Sequence, residues 1–327
     1  MHMSHAPRTA PIASTPSFPL LDAHAAALSR DPSAAQVHAL IRDLDALRRS
    51  LPVEAWRAFA AAAQAHPLAA MVADDPYTRR AREKPRGYAG DAVMLDYVYD
   101  PDAVDVAALS PQGRATWAAT TDAPSAEAVR DRRRRLAALV DEVAAARPGA
   151  SVVSVAAGHA REIERSAAFA RGEVARWRCL DQDRESLAAI AARHRGDARV
   201  EPAFGSVRDL LARGLPESAD LVYSAGLFDY LRDDVASALL QRLWHSVREG
   251  GRLVVANFAD DSGERGYMEA MMDWWLLYRD EASIAALGAT LEGATVRVFR
   301  DTTGRTVWLE ATRGAATGGS SPGHSVA

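Results

Sequence analysis

A chain of 327 residues is long enough for one large domain or two modest ones. With 48% hydrophobic and 25% charged residues it reads as a globular, water-soluble protein, and a net charge of −4 gives no electrostatic case for binding nucleic acid. No apolar run approaches the ~18 residues of a membrane span. The first eleven residues hold no apolar signal segment, so the cytoplasm is the expected compartment, and the single cysteine, Cys179, excludes an internal disulfide and reads as a small core residue.

Residues 1–17, rich in Pro, Ser, Thr and Ala, are expected to be a disordered tail. Residues 18–121 then carry a helical pattern and are expected to form a helical cap or lid domain. Leu40, Ile41, Leu44 and Leu47 fall on one face, and Trp56, Phe59 and Ala63 on another. Residues 74–99 interrupt it with prolines, glycines and charges. Gly87 and Gly90 bracket Tyr88, and Asp91 is placed to cap a helix over 92–99. A loop with a flexible backbone, an exposed aromatic ring and ionisable groups suits a substrate lid; a capped turn with solvated charges is the competing reading. Residues 122–147 read as one helix. Its run Arg132–Arg135 points around the cylinder and is expected to be solvated rather than a nucleic-acid patch.

The centre of the chain is S-V-V-S-V-A-A-G-H-A-R-E, residues 151–162. A buried strand over Val152–Val155, a tight turn of small residues and a following helix start are expected. Small residues let the backbone approach a ligand, and free helix N–H groups favour a polar or anionic group. The next strand, A-R-W-R-C-L-D-Q-D, places Asp181 at its carboxyl end, 23 positions after Gly158. A carboxylate there is placed to accept hydrogen bonds from ribose hydroxyls. Together these pieces point to a nucleoside-containing cofactor at the edge of a parallel sheet.

Further strands are expected over 200–203, from 219 and over 249–258, with helices between them. Gly205, Ser206 and Val207 form a loop able to touch a planar base, where Ser206 also suits a helix N-cap. Y-M-E-A-M-M-D-W-W-L-L-Y-R-D reads as an aromatic-rich helix. T-V-R-V-F-R-D and T-V-W-L-E-A-T form a hairpin across Thr303-Gly304, and 314–327 is a Gly/Ser-rich tail expected to be disordered. The expected fold is thus α/β: a Rossmann-like, doubly wound, seven-stranded sheet with a terminal antiparallel hairpin, preceded by a helical N-terminal domain.

V-V-S-V-A-A-G-H-A, L-D-Q-D, D-L-V-Y-S-A-G and G-G-R-L-V-V-A-N-F resemble the class I S-adenosylmethionine-dependent methyltransferases over roughly residues 126–313. More narrowly, K-P-R-G-Y-A-G-D, A-G-H-A-R-E-I and W-W-L-L-Y-R-D resemble the bacterial 3-hydroxypalmitic acid methyl ester biosynthesis proteins. The resemblance implies S-adenosylmethionine bound by residues 122–313, against Ala157, Gly158, His159, Asp181, Gln182, Ser206, Val207, Ser224, Ala225 and Gly226. It also implies a small-molecule acceptor, with a carboxyl group of a fatty-acid-like molecule first. This chain departs from the usual first motif. Ser154 stands at its acidic position and Ala156 and Ala160 at two of its glycines, leaving only Gly158. Because alanine favours negative φ, the turn is expected to be less extreme than a triple-glycine one, and a partner for the cofactor's amino group is lost.

A carboxylate acceptor is already ionised at pH 7 and needs a cation to orient it; an amine or hydroxyl needs a group to steer its proton. Arg86 and Tyr88 on the lid, or Arg279, can hold a carboxylate. Asp91 and Asp229 can anchor an amine. His159 can act as a base or simply sit half-exposed in its turn. Trp274, Trp275 and Tyr278 can wall a pocket, at least one of them being core. No Cys/His cluster has metal-ligand spacing, so no metal is expected. N-methylation of an amine is the alternative chemistry, and a homodimer is compatible with the sequence. A non-catalytic scaffold that kept the fold is a different class of reading. A nicotinamide oxidoreductase is opposed by the absent G-x-G-x-x-G and by the terminal hairpin.

Overall fold

The valine-rich runs bounded by small residues become the centre of a seven-stranded sheet in the computed structural model, which describes residues 18–314. Apart from Gly314, the two expected tails lie outside the described residues. The strands are β1 (Ala150–Val155), β2 (Val174–Asp181), β3 (Val200–Phe204), β4 (Ala219–Ser224), β5 (Val247–Phe258), β6 (Ala294–Arg300) and β7 (Thr306–Arg313). They lie in the order β3-β2-β1-β4-β5-β7-β6. The first five are parallel, and β7 enters antiparallel between β5 and β6. The chain turns from β1 to β2 on one side and reaches β4 on the other, so the strand order reverses beside β1. That reversal opens a crevice at the carboxyl ends of the strands, where ligands of open α/β sheets bind.

Alternation along the strands splits the core into two layers. Val153, Val155, Leu239 and Leu243 pack on one face of the sheet, and Val152, Val140, Trp177, Tyr223 and Trp308 on the other. The helices of residues 19–121 share a third core with Phe258 and Tyr267–Leu276, which belong to the connection after β5. From the helical region, Arg86–Tyr88, Gly90, Ala92, Leu95 and Tyr99 reach the cavity at those strand ends. No helix among the described residues is long and apolar enough to cross a membrane.

Four local expectations differ from the structure. The segment after β1 is not a regular helix but a turn, a 3-10 stretch Ile163–Arg165 and a short helix Ala167–Ala170, so the expected helix does not start at this turn. The aromatic helix stops at Met271: Asp273 takes φ +47°, and the chain to Asp280 is irregular. A helix not expected from the sequence, Glu281–Gly288, follows with Asp280 as its N-cap. The arginine run is not a solvated face. Arg132 and Arg133 are buried, Arg135 stacks 4.3 Å from the Phe299 ring centre, and Arg134 is the member paired at the surface, with Glu127 and Asp131. Their helix, Pro124–Ala146, turns the stripe Val129, Leu136, Val140 inward, and Arg132 falls on that stripe.

Candidate cofactor and acceptor site

A cavity of about 430 Å³ opens at the carboxyl ends of β1, β2 and β4. Its floor is the turn after β1. Ala156, Gly158 and Ala160 all take positive φ, +55°, +56° and +48°. The turn is therefore as extreme as a triple-glycine one, contrary to the expectation from the alanines. A left-handed alanine costs about 1–2 kcal/mol, and two of them are held by the surrounding hydrogen bonds. Gly158 is restricted twice, by φ and by the Ala92 methyl, which would lie 3.3 Å from an added Cβ.

Asp181 closes β2 and turns its carboxylate into this turn. Oδ2 accepts the Gly158 N–H at 2.8 Å and Oδ1 accepts the Asp183 N–H at 2.8 Å. Burial raises its pKa from the ordinary value, against the pull of these N–H donors. The Gly205 N–H donates to the Asp181 carbonyl at 3.0 Å, which ties the loop after β3 to the same corner. Ala157, Gly158, His159, Asp181, Gln182, Val207, Ala225 and Gly226 all line the cavity.

Two expected cofactor residues do not. Ser206 is the N-cap of the helix Val207–Arg213, in a reciprocal capping box with Asp209. Ser224 is fully buried and donates its hydroxyl to the Val155 carbonyl at 2.8 Å, stitching β4 to β1.

The turn expected to act as a lid, residues 84–91, borders the cavity. Arg86 lines it, but its guanidinium is committed to Asp183 at 2.8 Å and Ser186 at 3.0 Å. Tyr88 forms a half-buried wall; burial, then the charges of Asp181 and Asp183, push its hydroxyl far up, so it is neutral. Asp91 is buried away from the cavity, caps the helix Ala92–Tyr99 through the Met94 N–H and is clamped by Arg80 at 2.7 Å. Gly90 holds the far end. An added Cβ there would meet Trp274 at 2.7 Å and the Tyr230 hydroxyl at 2.8 Å, and that hydroxyl donates to the Ala89 carbonyl.

The remaining expected catalytic residues are not in the cavity. Arg279 is buried against the Phe228 and Leu231 carbonyls, Asn257 and Asp233, tying the segment after β4 to the end of β5. Asp229 is buried and accepts the Phe258 N–H. Tyr278 packs on Met268 beneath the Arg265 guanidinium. Trp274 is core and donates its ring N–H to Tyr230, whereas Trp275 is half-buried with Arg57 5.6 Å from its ring centre. Both lie outside the cavity lining.

Sequence reasoning missed the inner end of the cavity, where Arg132, Glu162, Tyr223, Tyr99, Leu136 and Ser154 converge. The available signal was Arg132 at i+3 from Val129 and i−4 from Leu136, on an otherwise apolar stripe. His159 has its Nδ1 2.8 Å from Asp96, which also takes both arms of Arg161, while its buried Nε2 has no hydrogen-bond partner.

No family model matches the chain, and no curated protein does. Solved structures do. A possible exported protein from Bordetella parapertussis is 21% identical over 69% of this chain and 80% of its own, with a TM-score of 0.56. The likeness is one of fold. Two further similar structures are magnesium protoporphyrin IX methyltransferase ChlM from Synechocystis PCC 6803 with bound SAH, and N-methyltransferase NodS from Bradyrhizobium japonicum WM9 in complex with S-adenosyl-L-homocysteine. The first is 18% identical over 58% of this chain and 87% of its own, with a TM-score of 0.44. The second is 14% identical over 67% and 99%, with a TM-score of 0.43.

Proposed function

We propose that this chain is an S-adenosylmethionine-dependent methyltransferase acting on a small molecule. The observation that carries this reading is the corner made by Gly158 and Asp181: a half-satisfied carboxylate at the end of β2, bonded to the turn after β1, on the wall of an open cavity. Each carboxylate oxygen keeps a lone pair after its backbone bond, which suits the paired hydroxyls of a ribose. Val207 and Gly205 offer an apolar slot for a base beside it. The group supplies an electrophilic methyl on a sulfonium when bound. The chain's part is to hold and align the acceptor beneath Tyr88 and Tyr230 and to keep water out.

Asp181→Ala should weaken S-adenosylhomocysteine binding by roughly 1–3 kcal/mol in calorimetry, because buried hydroxyls lose a charged partner. Unchanged affinity would remove the nucleoside from this corner.

The motif resemblance supports a carboxyl acceptor of fatty-acid type. A second reading has an observation of its own. The Nε2 of His159 is buried without a partner while Asp96 holds the other ring nitrogen; a turn of this ring toward the acceptor would make it a general base, and a carboxylate has no use for one. His159→Asn with labelled methyl donor separates the two. A large loss of turnover with unchanged cofactor affinity favours an amine or hydroxyl acceptor, and undiminished turnover favours the carboxylate.

A further inference from the structure

The inner end of the cavity holds a buried arginine and a buried carboxyl group that form no ion pair with each other; burial raises the Glu162 pKa from its ordinary value, against the pull of the Tyr223 hydroxyl and of Arg132 and Arg133. Arg132 is 8% exposed, and among the described residues no carboxylate comes within ion-pairing distance of it. Its guanidinium lies against the loop after β4, with Nη1 3.6 Å from where a Cβ on Gly226 would stand, and beside Tyr99. Glu162 is 7% exposed and accepts the Tyr223 hydroxyl at 2.5 Å. Tyr223 stands directly across from Ser154 in the β1–β4 pairing. The Glu162 carboxylate is thus delivered next to Ser154 by the chain beyond the turn, eight positions later.

A buried guanidinium and a buried carboxyl group that face one cavity and share no ion pair each gain from a ligand group of opposite charge. A singly charged molecule would answer one and leave the other exposed to a low dielectric. An α-amino acid group carries an ammonium and a carboxylate within one short unit and answers both. The same cavity places this pair beyond the turn that bonds Asp181, away from the slot at Gly205 and Val207.

We propose that Arg132 and Glu162 form the seat for the α-amino-acid end of the cofactor, Arg132 taking its carboxylate and Glu162 its ammonium. Glu162 then supplies, from a different point in the chain, the negative charge that Ser154 does not provide. This deepens the methyltransferase reading and rests on it.

The test compares two ligands with the same thioether nucleoside, S-adenosylhomocysteine and 5′-methylthioadenosine, which lacks the amino-acid end. Calorimetry on the full chain is the readout. The wild-type chain should favour S-adenosylhomocysteine by about tenfold or more, the worth of one or two charge-assisted hydrogen bonds. Arg132→Met and Glu162→Gln should each erase most of that preference and leave methylthioadenosine affinity within about twofold. Ser154→Asp placed in the Glu162→Gln chain should restore part of it.

A preference that survives both substitutions overturns the seat while leaving the methyltransferase reading intact. A wild-type chain that binds neither ligand overturns both. Should Arg132→Met lose both ligands through misfolding, the isosteric Glu162→Gln and the charge-keeping Arg132→Lys decide. The seat requires the preference lost in the first and largely kept in the second, and any other result overturns it.

Discussion

Asp229 shows what a buried carboxylate does when it is part of the frame rather than the chemistry. It sits behind Tyr230 with 3% of its surface exposed and accepts the Phe258 N–H at 2.6 Å, fastening the turn after β4 to the end of β5. Burial lifts its pKa from 3.8 to about 6, against the pull of the Phe258 N–H and the cations of Arg132 and Arg279. The folded chain therefore keeps a proton that the unfolded chain releases near pH 3.8. Its contribution to stability is full below that pH and is lost as pH rises through about 6. Asp229→Asn keeps an acceptor for Phe258 and cannot ionise. Relative to wild type, this variant should gain stability between pH 4 and 7, by up to roughly 3 kcal/mol. Paired melting curves across that range are the check; a constant gap between the two chains would mean that Asp229 does not titrate there.

The central strands were readable because β1, β4 and the second half of β5 are runs of β-branched or apolar residues closed by small or polar ones, and every strand expected from the sequence is present. The corner of Gly158 and Asp181 was readable for the same reason, since both residues stand at strand ends and their meeting follows from parallel pairing of neighbours. Periodicity failed where tertiary contacts set the backbone. Met271 to Asp280 carries apolar residues at spacings a helix would accept, yet its N–H groups go elsewhere: Trp274 to the Met268 carbonyl, Leu277 to Asp229, Arg279 to Phe258. The Asp229 and Phe258 carbonyls come into reach only once β4 and β5 have paired. The buried arginines escaped for a related reason. A charge on an apolar stripe reads as a solvated side chain unless something awaits it inside, and Tyr99, which bonds Arg132 and lies under Arg133, arrives there from another element. The alanines at 156 and 160 were misjudged because intrinsic φ preference is worth only about 1–2 kcal/mol, less than the hydrogen bonds and packing that hold the turn.

Across the whole molecule, the helical region and the sheet are joined through the connection after β5. Glu269 on the helix Arg265–Met271 is 1% exposed and takes the Trp56 ring N–H at 2.5 Å, Arg48 at 3.1 Å and Arg265 at 2.7 Å. One turn earlier, Gly266 lets this helix lie on the backbone of the helix Ala34–Ser50: an added Cβ would stand 2.5 Å from the Leu44 carbonyl carbon and oxygen. No side chain can move aside to relieve that overlap, so the two helices must separate. The same connection runs on to Trp274, which bonds Tyr230 and packs against Gly90 at the edge of the cavity. Gly266→Ala should therefore cost on the order of 1–3 kcal/mol of stability and loosen cofactor binding with it, although residue 266 is outside the cavity lining. Gly263→Ala, whose Cβ would meet only the Arg305 side chain at 3.6 Å, is the control and should change neither. Circular dichroism melts and S-adenosylhomocysteine titrations on both variants test the coupling. A melt that splits into two steps for Gly266→Ala, with affinity unchanged, would show that the helical region is a passenger on the sheet rather than the roof of its site.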